Sequence, residues 1–331
     1  MVIGENADHF GGVTVVGLAG VRAAVAVSPR VDNMIAVHTD FAGQEIADQV
    51  EGAQLAQLSD SGFSSFAAAD APSTQDEPPR GLAVRLGGLV NTLIGRQMLS
   101  RDTSGVDITV VSDIPLGSGL GALHATDAAL CLALLADDSD IDTAPLRTRL
   151  AEIASQSAKT FSDVPVVRSR HSAAMRGAGG TVSVVDYADG SLTQAPHPMR
   201  EDVRIFSVAA GFGEVFADKT DSVTKGRQFI DDACTNFGVS SLRQLPEAPE
   251  RVVEWVDARH QVNGADSAPT LEAARAWVVF CETETNQATL AAKALRSMHG
   301  DEFFAIINTP AQTPGLPVPE QLVEAVSYTH L

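Results

Sequence analysis

The sequence predicts an α+β protein of two domains, and three observations carry that prediction. At 331 residues the chain is about twice the roughly 150 residues typical of one domain. Its first 45 residues read as short β-leaning runs punctuated by glycine, whereas later stretches carry the apolar spacing of helices. Hydrophobic residues make up 44% and charged residues 20%, a balance that supports a sizeable core in a soluble globular protein.

The elements follow in order. Val13–Gly17 and Ala23–Val27 are strand candidates, and Pro29 to Asn33 reads as a hairpin connection. Residues 71–80 are polar and proline-rich, a surface loop. A helix is expected from Gly81 to about Ser100, with Leu82, Leu86, Leu89, Leu93 and Ile94 on one face. Val106, Ile108 and Val110 alternate with Asp107 and Thr109, the pattern of a strand with one wetter face. The glycine-rich turn Pro115–Gly121 comes next, then a helix from about Ala122 to Leu135, followed by Asp137 and Asp138. Residues 145–160 predict another helix, and 181–186 and 202–208 predict strands. A second unit is expected to begin near residue 195. Gly226 to Phe237 fits a helix with Phe229, Ile230, Ala233 and Phe237 on its apolar face, and 271–299 a long helix stopped by Gly300. Residues 308–320 contain four prolines and predict a loop.

Composition excludes several classes of function. With 23 Lys+Arg against 42 Asp+Glu the formal net charge is −19. That argues against nucleic-acid or anionic-membrane partners, which require a basic surface. No stretch approaches the about 18 apolar residues of a membrane span, and the start of the chain lacks the regions of a signal peptide. Cys131, Cys234 and Cys281 are far apart and odd in number. They read as reduced thiols of a cytoplasmic protein, with no disulfide framework or zinc site. HExxH, CxxC and GxSxG are absent. His260 and His299 read as helix-surface residues, His299 in a last turn before Gly300. The oligomeric state is left open.

The turn at 115–121 carries the most chemistry. Strand, glycine loop and helix N-terminus together suit a phosphate: glycine lets the backbone come close, and the first helical N–H groups lack intrahelical partners. Three readings stand for it. One is a plain tight turn. Another is a dinucleotide site, since Gly117-x-Gly119-x-x-Ala122 formally fits GxGxx[GA]. A Walker A loop is excluded, because GxxxxGK[ST] is absent.

The third reading comes from a resemblance. Val111 to Ala122 resembles the nucleotide loop of the galactokinase, homoserine kinase, mevalonate kinase and phosphomevalonate kinase superfamily, with galactokinase the most similar pattern. Ile3 to Gly12 resembles the galactokinase sugar signature Ile-Gly-Glu-His-Thr-Asp-Tyr-Asn-Gly-Gly. Asp163 to Gly177 stands where that family has Gly-Val-Pro-Cys-Gly-Ile-Met-Asp-Gln. Residues 181–186, 225–229, 238–244 and 319–325 fall in register, so the resemblance covers nearly the whole chain. It implies an N-terminal ribosomal-protein-S5-like domain at about 1–190 and an incomplete ferredoxin-like C-terminal domain at 191–331. The implied reaction is transfer of the γ-phosphate of ATP, with Mg, to the C1 hydroxyl of a hexose such as galactose. The implied partners are therefore small molecules. The implied phosphate-binding residues are Gly117, Ser118, Gly119, Leu120, Gly121 and Ala122, and the implied sugar-binding residues are Glu5 and Asp8.

The chain departs from that pattern at chemically decisive places. Asn6, Ala7 and His9 replace the signature's His, Thr and Tyr. Gly121, Ala122 and Leu123 replace serines, one of which helps hold Mg in the family. Arg170 stands at the position of the catalytic aspartate, and arginine accepts no proton at neutral pH. His171 is adjacent, but neighbouring helical residues diverge by about 100°, so it does not take the aspartate's place. Arg168, Arg170 and Arg176 read either as an anion-binding cluster or as an exposed basic face. Residues 211–217 and Ser222 replace the family's Ser-Asn-Val-Arg-His-Ser-Leu and a sugar-stacking tyrosine. The Arg-Val-Asn before the first signature and the closing glycine-rich motif are not in the sequence, which reads as truncation. The expectation is a galactokinase-like protein with a degenerate catalytic site. The alternative is a kinase-like nucleotide- or sugar-binding module that transfers no phosphate.

Overall fold

A computed structural model of the chain describes residues 1–60, 81–103, 105–162, 164, 166–198 and 217–309. By packing, these divide into two compact units. One holds residues 17–182, and the other gathers 1–16, 183–198 and 217–309. The first 16 residues thus pack with chain that lies beyond residue 182.

The 17–182 unit is a mixed four-stranded sheet covered by helices. Its strands are β2 (Ala23–Arg30), β3 (Met34–Phe41), β4 (Gln44–Glu51) and β5 (Gly105–Ser112), in the order β2-β5-β3-β4; β1 (Val13–Gly17) lies in a second sheet. The alternation read in β5 holds: Val106, Ile108 and Val110 are buried, while Thr109 and Val111 are exposed. The hairpin expected at Pro29–Asn33 does not form. β2 pairs antiparallel with β5, and β3 pairs parallel with that same strand, so β5 lies between them. Residues 31–33 connect two strands that are not neighbours. The reason is non-local, because β5 arrives some 70 residues later and offers both strands a buried apolar row. Pro29 sits on the edge strand opposite Val106, where a missing N–H is tolerated.

Among the described residues five helices pack in this unit: α1 (Gly52–Asp60), α2 (Leu82–Gly95), α3 (Ala122–Leu134), α4 (Ala144–Phe161) and α5 (Arg168–Arg176). Leu86, Leu89 and Leu93 form the buried stripe of α2 and join Ile108, Leu130 and Leu150 in the core. Burial of each such side chain contributes roughly 1.5–3 kcal/mol. Gly88 lets α2 and α4 touch, since a Cβ there would fall 2.2 Å from Cγ of Phe161.

The other unit carries a three-stranded sheet in the order β1-β6-β7, with β6 (Thr181–Asp186) and β7 (Ser191–Pro196). Its helices are α6 (Ala217–Phe237), α7 (Ala248–Asn263), α8 (Leu271–Arg296) and α9 (Gly300–Ile307). Phe10, Phe229, Ile230, Val252, Trp277 and Phe280 form its core. Thr270 caps α8 by accepting the Ala273 N–H at 3.2 Å. The long helix ends earlier than the sequence suggests. It stops at Arg296, Met298 takes a left-handed φ of 57°, and Gly300 opens α9 behind His299. Gly300 is followed by Asp301 and Glu302, which suit a helix start near its positive end. His260, in the last turn of α7, donates from Nε2 to the Ala268 carbonyl at 3.2 Å. The expected strand at 202–208, the loop at 71–80 and the chain beyond Thr309 lie outside the described residues.

Candidate functional site

The glycine turn joins the end of β5 to the start of α3. Gly117, Gly119 and Gly121 have φ of 74°, 73° and 82°, a region that side chains with a Cβ avoid. The turn is closed from within: Ser118 Oγ donates to the Pro115 carbonyl at 2.7 Å and accepts the Leu120 N–H at 3.4 Å. Gly121 is the N-cap of α3, which has no side-chain cap and no acidic residue in its first turn. Its opening N–H groups therefore keep their preference for an anion. Helix α5 places Arg170 at this point. A Cβ on Gly121 would lie 3.4 Å from Cδ of Arg170, so the arginine stem runs against the end of the loop. Arg168 is committed elsewhere, donating to both Glu152 oxygens at 3.0 and 3.1 Å.

His171, one residue on, turns into the core. It is fully buried and packs against the His124 ring. Its Nε2 donates to Asp127 Oδ2 at 2.9 Å, and its Nδ1 shares a hydrogen bond with Ser155 Oγ at 2.9 Å. Arg85 of α2 reaches the same carboxylate, with Nη2 to Oδ2 at 2.6 Å and Nε to Oδ1 at 3.1 Å, and Nη1 donates to Ser162 Oγ. Burial alone would raise the Asp127 carboxyl. The Arg85 charge and the His171 bond outweigh it and hold that group below the ordinary carboxylate range. Burial, with the Asp127 charge nearby, pushes the Cys131 thiol far above its ordinary value, so it is inert. One buried carboxylate thus ties α2, α3 and α5 together beneath the glycine turn.

The chemistry of the donors decides whether Mg fits. Magnesium requires hard oxygen ligands in a strict octahedron. Ala122 and Leu123 supply no side-chain oxygen, and the Ser118 hydroxyl already closes the turn. Asp127 is buried and engaged by Arg85 and His171, and Glu152 by Arg168. Among the described residues no group of three or more His, Cys, Asp or Glu side chains is placed to hold a metal. The described residues around the turn do not fit Mg.

The 3–12 segment belongs to the other unit. It is a compact loop with left-handed residues at Gly4, Asn6 and Gly11. Glu284 of α8 accepts the Gly4 N–H at 3.0 Å. Arg227 of α6 donates to Asn6 Oδ1 at 2.7 Å and lies 3.9 Å from Asp8 Oδ1. Asp8 is 4% exposed and Arg227 7%. His9 Nδ1 meets Asp231 Oδ1 at 2.8 Å, and Ser241 Oγ donates to the Phe10 carbonyl at 2.8 Å. Glu5 remains half-buried. Two predicted acceptors, Glu5 and Asp8, therefore sit on a firmly held loop.

No protein-family model matches the chain. No curated protein matches it. Among solved structures, Lactococcus lactis galactokinase complexed with galactose superposes with a TM-score of 0.60 at 15% identity, covering 92% of this chain and 70% of that one. The chain has the galactokinase fold. Mevalonate kinase from L. major, in complex with R-mevalonate, scores 0.43 at 10% identity and covers 93% of this chain and 70% of that one. A D-glycero-D-manno-heptose 1-phosphate kinase from Bacteriodes thetaiotaomicron scores 0.38 at 11% identity, covering 93% and 90%. Neither of the latter two likenesses is strong enough to argue from. The galactokinase fold agrees with the resemblance read from the motifs and removes the dinucleotide reading. That reading needs a parallel doubly wound sheet, and β5 here is antiparallel to one neighbour. No described helix is long and apolar enough to cross a membrane.

Residues 211–216 and the Ser222 side chain lie outside what is described. Of the three arginines considered as a cluster, Arg170 has its stem against Gly121, Arg168 pairs with Glu152, and Arg176 stands in the last turn of α5. Sequence reasoning passed over Arg85, Asp127, Ser155, Arg227, Asp231 and Glu284. A signal existed for two of them: Arg85 and Asp127 are the lone charges in otherwise apolar helical stretches.

Proposed function

We propose that this galactokinase-fold chain binds nucleotide phosphates at Gly117–Ala122 and a hexose such as galactose at Glu5 and Asp8, without efficient phosphoryl transfer. The observation that carries this reading is Arg170 against Gly121, where the family resemblance calls for an aspartate. A positioned base contributes roughly 10²–10⁴-fold, and a guanidinium cannot serve as one. Glu5 and Asp8 suit a sugar because carboxylates accept strongly from hydroxyl groups. The protein is then a cytoplasmic binding or regulatory module derived from a hexose kinase.

The test is a coupled ADP-release assay with galactose and a panel of hexoses, alongside thermal-shift measurements with ATP, with NAD and with each sugar. Stabilisation by ATP and by a hexose, with turnover at background, supports the reading. Robust turnover that disappears when the 117–121 loop is altered would overturn it.

A second reading rests on the His9–Asp231 pair. Asp231 accepts a hydrogen bond from Nδ1–H of His9, which leaves Nε2 as an acceptor within the sugar loop, a displaced base. Turnover abolished by His9→Ala would favour this kinase over the binding module.

A further inference from the structure

A cleft of about 660 Å³ opens in the 17–182 unit, away from the glycine turn. Thr103, just before β5, lines it, whereas the turn follows the far end of that strand. The 8 residues of β5 hold the two apart by roughly 25 Å. The volume falls within the range of roughly 300–1,000 Å³ found for small-molecule sites. Its floor is apolar and already formed. Ile35 of β3, Leu55 of α1 and Val90 of α2 line it from the core. Gly87 lets the first two close on α2, since a Cβ there would meet Leu55 Cδ1 at 2.8 Å and Ile35 Cγ1 at 3.2 Å. The polar lining differs in kind. The side chains of Glu51, Asn91, Arg101, Asp102 and Thr103 make no hydrogen bond or ion pair with any described residue. Asp32, also in the lining, is taken up by Arg30. The cleft thus offers a guanidinium, two carboxylates and the half-buried Asn91 amide and Thr103 hydroxyl around an apolar floor.

We propose that this cleft binds a small apolar zwitterion, of the size of an aromatic amino acid or a dipeptide with apolar side chains. Its carboxylate pairs with Arg101, its ammonium group with Asp102 and Glu51, and its apolar part covers Ile35, Leu55 and Val90. Charge complementarity selects this class. A ligand bearing only an anion leaves Glu51 and Asp102 opposed to it, and one bearing only a cation meets Arg101. Opposite charges on the successive residues Arg101 and Asp102 suit a ligand whose own charges lie a few bonds apart. The few polar groups fix the ligand's orientation while the floor supplies buried apolar contact.

Titration calorimetry of the full chain with L-phenylalanine and with L-leucyl-L-phenylalanine tests this, beside the N-acetyl and C-terminal amide forms of each. At least one free zwitterion is expected to bind, and its capped forms to bind about ten- to a hundredfold less well, the range for loss of a charged hydrogen-bonding partner. The two free probes distinguish an amino-acid ligand from a peptide. Arg101→Ala and Asp102→Asn alter exposed residues. Each is expected to weaken binding by a similar factor at an unchanged melting temperature, which thermal unfolding verifies, and the capped-ligand comparison stands without any variant. Absence of binding by both free probes overturns the proposal. So does equal affinity for free and capped forms, or an affinity that neither variant changes. The nucleotide and hexose readings stand or fall separately, because neither uses a residue of this cleft.

Discussion

Nε2 of His171 meets Oδ2 of Asp127 at 2.9 Å, and both side chains are almost wholly shielded from water. The contact joins α5 to α3, and Arg85 adds α2 through the same carboxylate. The residue before this histidine touches the glycine turn, so the buried pair fixes where Arg170 stands.

Removing the hub should leave a buried cation without its counter-charge. Asp127→Ala is expected to cost about 3–5 kcal/mol, the usual penalty for breaking a buried ion pair from one side. Urea unfolding of the two proteins measures it. A loss below about 1 kcal/mol would mean that water reaches Arg85.

Acid should weaken the same hub. The Asp127 carboxyl is held below its ordinary 3.8: burial opposes ionisation, and the Arg85 charge and His171 bond outweigh it. A carboxylate whose folded value is depressed contributes stability that is complete above its unfolded value and lost as pH falls through the folded one. The melting temperature should therefore drop as the pH goes below 3.8. In Asp127→Asn, if folded, this part of the acid sensitivity should vanish. An equal acid slope in both proteins would contradict the assignment.

Two glycines of α2 should respond oppositely to alanine. Gly88→Ala drives a methyl group into the Phe161 ring, with Cγ at 2.2 Å, and overpacking of this kind costs roughly 1–3 kcal/mol. Gly95 ends the helix with nothing within 4 Å of an added Cβ. Gly95→Ala should be neutral or stabilise by up to about 1 kcal/mol through the unfolded chain. Thermal or urea unfolding distinguishes the two, and equal effects would refute the packing of α2 on α4.

Restoring family residues piecemeal should fail. Arg170→Asp combined with Gly121→Ser and Ala122→Ser returns the carboxylate and the hydroxyls. Gly121 has φ of 82°, a conformation that strains serine. The triple variant should show background turnover with galactose and ATP in the coupled ADP-release assay. Measurable hexose-dependent turnover would show that these three positions alone silence the site.

Locally encoded features could be read without coordinates. The alternation Val106, Ile108, Val110 marks β5, the leucine spacing marks α2, and three closely spaced glycines mark the turn into α3, because strand and helix periods are written in neighbouring residues. The order of motifs along the chain, with arginine where an aspartate was expected, was equally visible in one dimension. Tertiary structure alone decided the rest. Pro29–Asn33 was expected to turn a hairpin, but β5 separates the strands on either side. Gly4 is held by Glu284, 280 residues away, and Asp127 draws its partners Arg85 and His171 from two other helices. Such bonds depend on which surfaces meet when apolar faces are buried. A partner chosen by burial leaves no period in the sequence beside it.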